Sequence, residues 1–513
     1  MSYLLGIDIG TSGVKSILLG DDGQVKRHAV AEYPLYTPRP GWAEQNPEDW
    51  WQATVQTVRE LLREVRPEEV IGIGLSGQMH GSVFLDKNNE VIRPAILWCD
   101  QRTVAECQWI TDSVGGRERL IELTANPALT GFTAPKIIWL RNHEPENFAR
   151  VRKVLLPKDY IRYRLTGAFA TEVSDASGTL LFDVVARQWS CAMLDALELS
   201  PELLPLCFES PVVSAMVSAV ASRETGLSAG TPVVGGGGDQ AAQAVGTGIV
   251  TEGLVSSTIG TSGVVFAYTD KPAVDPEGRL HTFCHAVPGK WHVMGVMLSA
   301  GGSLQWYRNV LCQLEKEAAA LAGIDPYELI TAEAQRAQAG SEGLIFLPYL
   351  AGERAPHPDP YARGVFFGLS LRHTKAEMSR SILEGVAYGL RDSLDMIRDM
   401  SIPVNEIRAS GGGARSLMWR QIQADINGVD MTVINAVDGA ALGAALLAGV
   451  GAGVFANVAE ACSRSIEIVG RTVPDAARST IYENYYSVYR RLYPALKEIY
   501  ADLHEAVEAQ ACL

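Results

Sequence analysis

The chain has 513 residues, of which 47% are hydrophobic and 20% charged, a composition typical of a globular protein with two or three domains. The formal net charge of −15 at pH 7 argues against nucleic acid or an anionic membrane as a partner, because both need a basic surface. No run of about eighteen apolar residues occurs, and the eight cysteines lack zinc-ligand spacing, so we expect a cytoplasmic protein without zinc or disulfides.

The first predicted strand, residues 3–8, leads into the hexapeptide Ile-Gly-Thr-Ser-Gly-Val at residues 9–14. The same six residues return at 259–264, again between two apolar runs, and this pattern predicts a β-hairpin turn in each case. One such turn needs glycine and threonine for local reasons alone. Two identical copies favour a duplicated fold, in which each half offers backbone N–H and hydroxyl groups to a phosphate.

The predicted order of strand, strand, strand, helix and strand over residues 3–75 differs from the alternating order of doubly wound dinucleotide folds. Gly72, Gly74 and Gly77 do match the Gly-x-Gly-x-x-Gly fingerprint. That fingerprint must open a helix, whereas residues 82–85 predict another strand. We therefore reject a dinucleotide site here.

A ligand loop is predicted directly after the strand at 70–75, at the strand end where α/β sheets usually bind ligands. Met79 and His80 lie at its tip. For His80, a packed or solvated ring and a hydrogen bond to a substrate are equally good interpretations. Farther along, Trp98 offers a flat apolar face to a small ligand. Residues 103–232 contain few residues to which a catalytic or binding role can be assigned from the sequence. We expect this segment to complete the wall of a pocket.

Four glycines at 235–238, followed by Asp239, come after a short apolar strand. Glycine lets a ligand or another backbone approach within contact distance. Asp239 is able to cap the helix predicted to begin at 241–246, whose dipole would keep the carboxylate ionised. We call the glycines at 235–238 the glycine arm. A carboxylate exposed at the end of this arm is also the best candidate for a general base, so both roles of Asp239, helix cap and base, stay open.

The second half repeats the design of a strand, glycines and a helix. Gly301 opens one predicted helix, and the glycines at 411–413 precede another. Free N–H groups at such helix starts suit a ligand, although helix packing needs small residues too. The Ala/Gly run at 440–448 predicts a tightly packed structural helix.

Five tyrosines and one leucine near the C-terminus follow the helical spacings of three and four. They are Tyr482, Tyr486, Tyr489, Tyr493, Leu496 and Tyr500. This spacing predicts one apolar face of a helix, which Pro494 is expected to break or kink. We interpret the segment as an amphipathic tail packed on the body, which leaves room for a homodimer contact.

The chain has no Gly-x-x-x-x-Gly-Lys-Ser/Thr motif, so the hairpin loops are not P-loops. The duplicated hairpins resemble those of the actin, Hsp70 and sugar kinase superfamily, which implies an α/β fold of two ribonuclease-H-like domains with a cleft between them. Further motifs narrow the resemblance to the FGGY family of carbohydrate kinases. They are residues 6–12 (GIDIGTS), 41–45 (GWAEQ), 76–81 (SGQMHG), 97–100 (LWCD), 237–239 (GGD), 352–356 (GERAP) and 410–414 (SGGGA).

The resemblance covers nearly the whole chain. It implies an N-terminal FGGY sugar-binding domain at 1–248, a C-terminal FGGY nucleotide-binding domain at 249–475 and amphipathic helices at 476–513. The implied reaction is transfer of the γ-phosphoryl group of ATP, with Mg²⁺, to a sugar hydroxyl. The loop at 78–81 is most similar to that of family members that phosphorylate D-xylulose, so the 5-hydroxyl of that sugar is the expected acceptor.

The resemblance also implies roles for individual residues. Asp239 would orient the acceptor hydroxyl and accept its proton, and Asp8 would hold Mg²⁺ directly or through water. Met79, His80 and Gln240 would meet the sugar. The positions expected to contact the nucleotide are Thr11, Ser12, Lys15, Thr261, Gly301, Gln305 and Gly413.

Other functions stay open on sequence alone. Gln240 stands where many family members carry Asn, and Ala355 where Thr is common, so the sugar is less certain than the reaction. Another FGGY kinase, for ribulose, gluconate or a rarer ketose, is one alternative, and gluconate would favour a cationic partner such as Arg102. A non-catalytic sugar or ATP sensor is the other alternative, against which the presence of both Asp239 and Asp8 argues.

Overall fold

The structure, a computed structural model, describes residues 2–435 and 438–511. The chain forms two compact units. The first comprises Met1–Thr251, Tyr268–His292 and Asn435–Glu467, and the second comprises Glu252–Ala267, Val293–Ile434 and Ile468–Leu513. The predicted boundaries at 248 and 475 differ from this division, because segments 268–292 and 435–467 belong to the first unit and the C-terminal helix belongs to the second.

A seven-stranded sheet forms the centre of the first unit. Its strands are Tyr3–Ile9, Gly13–Gly20, Val25–Glu32, Val70–Gly77, Val213–Met216, Pro232–Val234 and Gly237–Gly238. The first three strands pair antiparallel, as the sequence predicts, and Val70–Gly77 adds parallel to Tyr3–Ile9. No helix opens at Gly77, because the next element is the strand Val83–Leu85, so the rejection of the dinucleotide fingerprint is confirmed.

The helix Gly439–Gly451 explains why a late segment joins the first unit. It packs on the sheet so closely that a Cβ added at Gly6 would lie 2.1 Å from the carbonyl oxygen of Ala441. A Cβ added at Gly74 would lie 1.9 Å from the carbonyl oxygen of Ala444. The fingerprint-like glycines therefore serve backbone-to-backbone packing, and the Ala/Gly run is a structural helix as predicted.

A second sheet carries the duplicated hairpin of the second unit. It has seven strands, six of which are, in spatial order, Trp291–Met297, Gly263–Thr269, Gly253–Ile259, Val404–Gly411, Met431–Ile434 and Ile468–Thr472. Thr258 pairs with Ser410 in this sheet as Asp8 pairs with Ser76 in the first. Both parallel pairings have an irregularity after their first residue. The two halves therefore share their register as well as the hexapeptide, which supports the predicted duplication.

The remaining elements surround these sheets. Shorter strands are Glu44–Gln45, Ala95–Ile96, Lys153–Leu155, Ala170–Glu172, Phe182–Asp183, Gln188–Trp189, Leu206–Phe208, His281–Cys284, Ile345–Leu347 and Val365–Phe367. The other helices are Pro47–Leu61, Val104–Ser113, Arg117–Thr124, Thr133–His143, Pro145–Arg150, Pro157–Thr166, Val173–Ala176, Cys191–Ala196, Ala219–Thr225, Asp239–Gly246, Gly301–Leu311, Gln313–Ala322, Pro326–Ala334, Lys375–Asp399, Leu417–Asn427, Val458–Ser465 and Ala476–Ala511.

The C-terminal helix Ala476–Ala511 continues through Pro494, so a break there is excluded, whereas a kink stays a prediction. Proline costs this helix one backbone hydrogen bond, but buried tyrosines on the opposite face hold the helix to the second unit. Tyr482 donates a hydrogen bond to Glu384 Oε1 (2.9 Å) and Tyr486 one to Asp392 Oδ1 (2.7 Å). None of the helices in the described ranges combines the length and apolar character that a membrane span requires.

Candidate active site

Asp239 is the first residue of the helix Asp239–Gly246, and the cap position is occupied by Gly238. Asp239 therefore does not cap this helix, which was one of the two roles that the sequence left open. Burial raises the pKa of Asp239 to about 7, and the negative charge of Asp8 adds to the effect, while hydrogen bonds from Gln240 oppose it. A carboxylate with such a pKa is well matched to proton transfer near neutral pH.

The glycine arm places Asp239 beside the central strand of the first sheet. Gly237 and Gly238 pair with Ser76 and Gly77. Gly236 has a φ of +72°, and a Cβ there would lie 2.0 Å from the carbonyl oxygen of Leu75. Only glycine fits this conformation and this contact. The glycines that precede Asp239 therefore determine where the backbone places its carboxylate.

Asp8 lies at the end of the first strand. Burial raises its pKa to about 6, the Ser76 hydroxyl and Lys15 oppose this, and Asp438 adds to it. Its buried Oδ1 atom has no hydrogen-bond partner. An unpartnered buried carboxylate oxygen near other carboxylates fits a hard divalent cation such as Mg²⁺, which is typically bound by one or two carboxylates together with waters and phosphates. Within the described residues, no group of three or more acidic, histidine or cysteine side chains forms a complete metal site.

The first hairpin loop is held in place by side chains from neighbouring motifs. Thr11 Oγ1 donates to Gln78 Oε1 (3.3 Å) and accepts from Trp98 Nε1 (3.0 Å). Gln45 Nε2 donates to the carbonyl oxygen of Thr11 (2.7 Å). Ser12, at the tip, is exposed. Trp98 thus orients the loop with its indole nitrogen, while the residue as a whole is 40% exposed.

Lys15 projects from the second strand of the same hairpin. Its ammonium is 3.3 Å from Asp438 Oδ1, and the side chain is 52% exposed. Lys15, which is predicted to contact the nucleotide, is therefore part of a surface ion pair. Such an exposed pair contributes little to stability by itself.

Met79 and His80 lie against the glycine arm and its neighbours. A Cβ on Gly238 would lie 2.9 Å from Cγ of Met79, and His80 Nδ1 is 2.7 Å from the carbonyl oxygen of Gly178. Because a carbonyl only accepts, Nδ1 carries the proton, so the acceptor of this ring in its neutral form is Nε2. The ring also packs on Phe132, with centroids 4.9 Å apart. His80 is therefore both packed and chemically able to accept from a hydroxyl.

The backbone of His80 is fixed by a buried lysine that the sequence did not reveal. His80 has a φ of 69°, and its carbonyl oxygen accepts from Lys136 Nζ (2.8 Å) and Thr133 Oγ1 (3.1 Å). Lys136 also donates to the carbonyl oxygen of Gly131 (2.6 Å). Burial lowers the pKa of Lys136 to about 7. Its hydrogen bonds stabilise a left-handed conformation that is costly for histidine.

Arg102, the cationic alternative considered above, is already neutralised. It donates to both oxygens of Asp100 (2.9 and 2.7 Å) and lies 2.7 Å from Glu44 Oε1. Its guanidinium also stacks 3.5 Å above the ring of Trp42. The side chain is 1% exposed. Arg102 therefore links the GWAEQ motif to the LWCD motif and does not present its charge to a ligand.

A cavity of about 760 Å³ in the second unit brings together all four nucleotide positions predicted there. They are Thr261, Gly301, Gln305 and Gly413. A cavity of this size suits a nucleotide-sized ligand. Tyr327 and Arg415 line the same cavity and were not predicted from the sequence. Arg415 directly follows the SGGGA motif and could have been found from it, whereas Tyr327 belongs to a helix with no recognisable motif.

The second hairpin loop forms one wall of this cavity through contacts with the glycine helix start. Gly301 N donates to the carbonyl oxygen of Gly260 (2.9 Å), and Gly302 N donates to that of Thr261 (2.9 Å). A Cβ at Gly301 would lie 2.4 Å from the Gly260 oxygen. The N-terminus of this helix is therefore joined to the hairpin loop, and glycine is required at the junction.

Comparison with known proteins gives consistent results for sequence and structure. Xylulose kinase from Escherichia coli K12 is 42% identical over 97% of this chain and 100% of the relative. Gluconokinase from Bacillus subtilis is 35% identical over 86% of each chain. The structure of a ligand-bound xylulose kinase from Lactobacillus acidophilus superposes with a TM-score of 0.91 and 27% identity, covering 98% of this chain and 100% of that one.

The two-unit α/β fold and its glycine-lined cavity therefore define a sugar kinase of the actin and Hsp70-like superfamily. The models of the N-terminal and C-terminal domains of the FGGY family of carbohydrate kinases match residues 3–246 and 255–452. The chain belongs to the FGGY family of carbohydrate kinases. It is accordingly a phosphotransferase that acts on a small-molecule sugar with ATP as donor.

Proposed function

We propose that this kinase transfers the γ-phosphoryl group of ATP to the 5-hydroxyl of D-xylulose. The observation that carries the proposal is the raised pKa of Asp239, about 7, at the end of a glycine arm against which the Met79 side chain packs. The 42% identity to a full-length xylulose kinase supports the choice of sugar.

Asp239 acts as the general base. It accepts the proton of the 5-hydroxyl as that oxygen bonds to the γ-phosphorus, while the bond from the γ-phosphorus to the β–γ bridging oxygen breaks and releases ADP. The transition state of phosphoryl transfer is loose, so orientation of the hydroxyl contributes more than its deprotonation. Asp8 would hold Mg²⁺, an ion that neutralises phosphate charge when bound.

Neutral groups next to the arm suit a neutral ketose. Met79 supplies an apolar surface, His80 Nε2 is an acceptor for a sugar hydroxyl, and the Gln240 amide both donates and accepts. For the donor nucleotide, Thr11 and Ser12 on one loop and Thr261 on the other supply hydroxyl and N–H groups for phosphates. Gly301, Gln305 and Gly413 line the cavity in which the rest of ATP would bind.

Gluconate is the second candidate, because a gluconokinase is among the relatives. A carboxylate substrate needs an available cation. Arg102 is 1% exposed and bound to two carboxylates, and its surroundings therefore favour a neutral sugar over an acid.

The test is ATP turnover with Mg²⁺ over a panel of D-xylulose, L-ribulose, D-ribulose, gluconate and glycerol, with Asp239→Ala and Asp239→Asn alongside. We expect D-xylulose to give the highest kcat/KM, and both variants to lose about 10²–10⁴-fold in kcat while still binding ADP. A higher kcat/KM for gluconate would overturn the choice of sugar. Bound ATP with no turnover on any sugar would favour a sensor.

A further inference from the structure

The first unit contains a cluster of charged side chains that the proposed reaction does not use. Its members are Lys158, Asp159, Arg162, Glu172 and Asp175, all with 0% exposure. Lys158 Nζ lies 2.8 Å from Asp159 Oδ1, 2.9 Å from Asp175 Oδ2 and 3.5 Å from Glu172 Oε1. Burial opposes the charge on Lys158, but the three carboxylates together raise its pKa above the ordinary value. Buried ion clusters seldom repay their desolvation in stability, so a positional role is the better explanation.

The cluster is bonded to the near end of the glycine arm through Arg162. Its guanidinium donates to the carbonyl oxygens of Val234 and Gly235. These are the last strand residue and the first glycine before Asp239. A planar guanidinium fixes two successive carbonyls in one geometry, which a lysine cannot do.

The far end of the arm is bonded to the same cluster through Ser174. Gly238 N donates to Ser174 Oγ (3.1 Å), and Ser174 Oγ donates in turn to Glu172 Oε1 (2.9 Å). Glu172 also accepts from the backbone N–H groups of Ser174 (2.7 Å) and Asp175 (2.9 Å). The hydroxyl proton of Ser174 is thus committed to Glu172, and a lone pair of its oxygen faces the N–H of the residue that precedes Asp239.

We propose that Ser174 and Arg162 are positioning residues, which use the buried ion cluster to hold the glycine arm and so set the orientation of Asp239 towards the acceptor hydroxyl. The inference rests on the proposed role of Asp239 as the base. Four consecutive glycines have no side chains with which to fix themselves and the widest backbone freedom of any residue. Their geometry must therefore be imposed by neighbours, and misplacement of a catalytic group by about 1 Å is costly.

Ser210 provides a matched control. It is also 0% exposed, and its Oγ donates to the other oxygen of the same carboxylate, Glu172 Oε2 (2.9 Å). Its contact with the arm is made by its backbone carbonyl, which accepts from Gly236 N (2.8 Å), and alanine would keep that contact. Ser174→Ala and Ser210→Ala each remove one buried hydroxyl from Glu172, but only Ser174→Ala removes a hydrogen bond to the arm.

The experiment compares steady-state kinetics and Tm of these two variants in the full chain with ATP, Mg²⁺ and the preferred sugar. We expect Ser174→Ala to lose about tenfold in kcat, the effect of one well-placed hydrogen bond, with KM for ATP unchanged. Ser210→Ala should have a similar loss of Tm and a kcat close to wild type. Ser174→Thr, which keeps the hydroxyl, should recover most of the kcat.

Arg162→Lys is a second, independent variant, because it keeps the charge and removes the paired N–H donors. Its kcat should also fall at unchanged KM for ATP. Equal kcat in Ser174→Ala and Ser210→Ala, or wild-type kcat in Arg162→Lys, would overturn the positioning role in an otherwise active enzyme. Absence of sugar-dependent turnover in the wild type would instead overturn the proposed function and the inference with it.

Discussion

The two hairpin loops have the same six residues and the same strand register, yet they lie in different chemical surroundings. In the first unit the residue before the hexapeptide is Asp8, a buried carboxylate whose register partner is Ser76. In the second unit the equivalent residue is Thr258, whose Oγ1 is 2.6 Å from the Oγ of its register partner, Ser410. One loop thus follows a buried acid and the other a neutral pair of hydroxyls.

A duplicated loop has therefore acquired two different chemical settings. The hexapeptide fixes the hairpin, because the N–H of its first glycine donates to a carbonyl oxygen within the turn in both copies, Gly10 to Gly13 and Gly260 to Ser262. The preceding residue and the packing partners fix the chemistry. For the first loop, we propose that Asp8 holds a cation and that Asp239 acts as a base. The second loop, joined to Gly301 and opening onto the cavity, has the space for a nucleotide.

The largest expected effect comes from removing the acid that distinguishes the first loop. Asp8→Asn should lower kcat about 100-fold or more, because it removes the carboxylate proposed to hold Mg²⁺. The matched change in the other loop, Thr258→Val, removes the hydroxyl that is hydrogen-bonded to Ser410 and should cost no more than about fivefold. Steady-state kinetics at saturating D-xylulose and ATP check both. Equal losses would mean that the two loops do not differ in chemistry.

The same carboxylates should cost the first unit stability. In the fold the pKa of Asp239 is about 7 against an ordinary value of 3.8, so the unfolded chain binds fewer protons between these values and stability falls as pH rises from about 4 to 7. Asp239→Asn should therefore be more stable than wild type at pH 8 by about 4 kcal/mol, and equally stable near pH 3. Urea unfolding without Mg²⁺ at both pH values measures this. If the free energy of unfolding of Asp239→Asn differed from that of wild type by the same amount at both pH values, the raised pKa of Asp239 would not be the cause.

The nucleotide loop should be most sensitive at its junction with the helix. A Cβ at Gly301 would lie 2.4 Å from a backbone oxygen, and relieving such a contact costs about 1–3 kcal/mol. Gly301→Ala should therefore raise KM for ATP about tenfold or more. Gly412→Ala is the control, because it lines the same cavity and its added Cβ would have a nearest neighbour 3.9 Å away. Similar KM values for the two variants would contradict the junction's role.

The smallest effect is expected from Lys15. Its half-exposed ammonium is already paired with Asp438, and an exposed pair contributes about 1 kcal/mol or less. Lys15→Gln should therefore raise KM for ATP no more than about fivefold, with kcat nearly unchanged. A large loss of kcat would instead place Lys15 at the reacting phosphate.

The sequence predicts well those structural features that are indicated by a pattern of neighbouring residues. The repeated hexapeptide predicts both hairpins, and the strand at 82–85 excludes a dinucleotide site although three glycines match its fingerprint. Residues 374–377 (Thr-Lys-Ala-Glu) have the sequence of a capping box, which predicts a helix start, and the structure has both hydrogen bonds of that box. In each case the information lies within a few residues of the feature.

The sequence does not predict features built from distant residues. Segment 103–232 carries no motif, yet it supplies Lys136, Lys158, Arg162 and Ser174, whose partners lie elsewhere in the chain. Charged residues are normally exposed, so nothing local indicates that these lie in the interior. Joining 435–467 to the first unit likewise depends on glycines far away in sequence, such as Gly6 and Gly74.

The most direct test of the division between the loops is the affinity for ADP, measured by isothermal titration calorimetry with and without Mg²⁺. The account predicts that Asp8→Asn binds ADP alone as tightly as wild type but gains less affinity from Mg²⁺. Gly301→Ala should bind ADP weakly under both conditions and keep the gain from Mg²⁺. Loss of metal-free ADP binding in Asp8→Asn, with normal binding in Gly301→Ala, would contradict the assignment of the two loops.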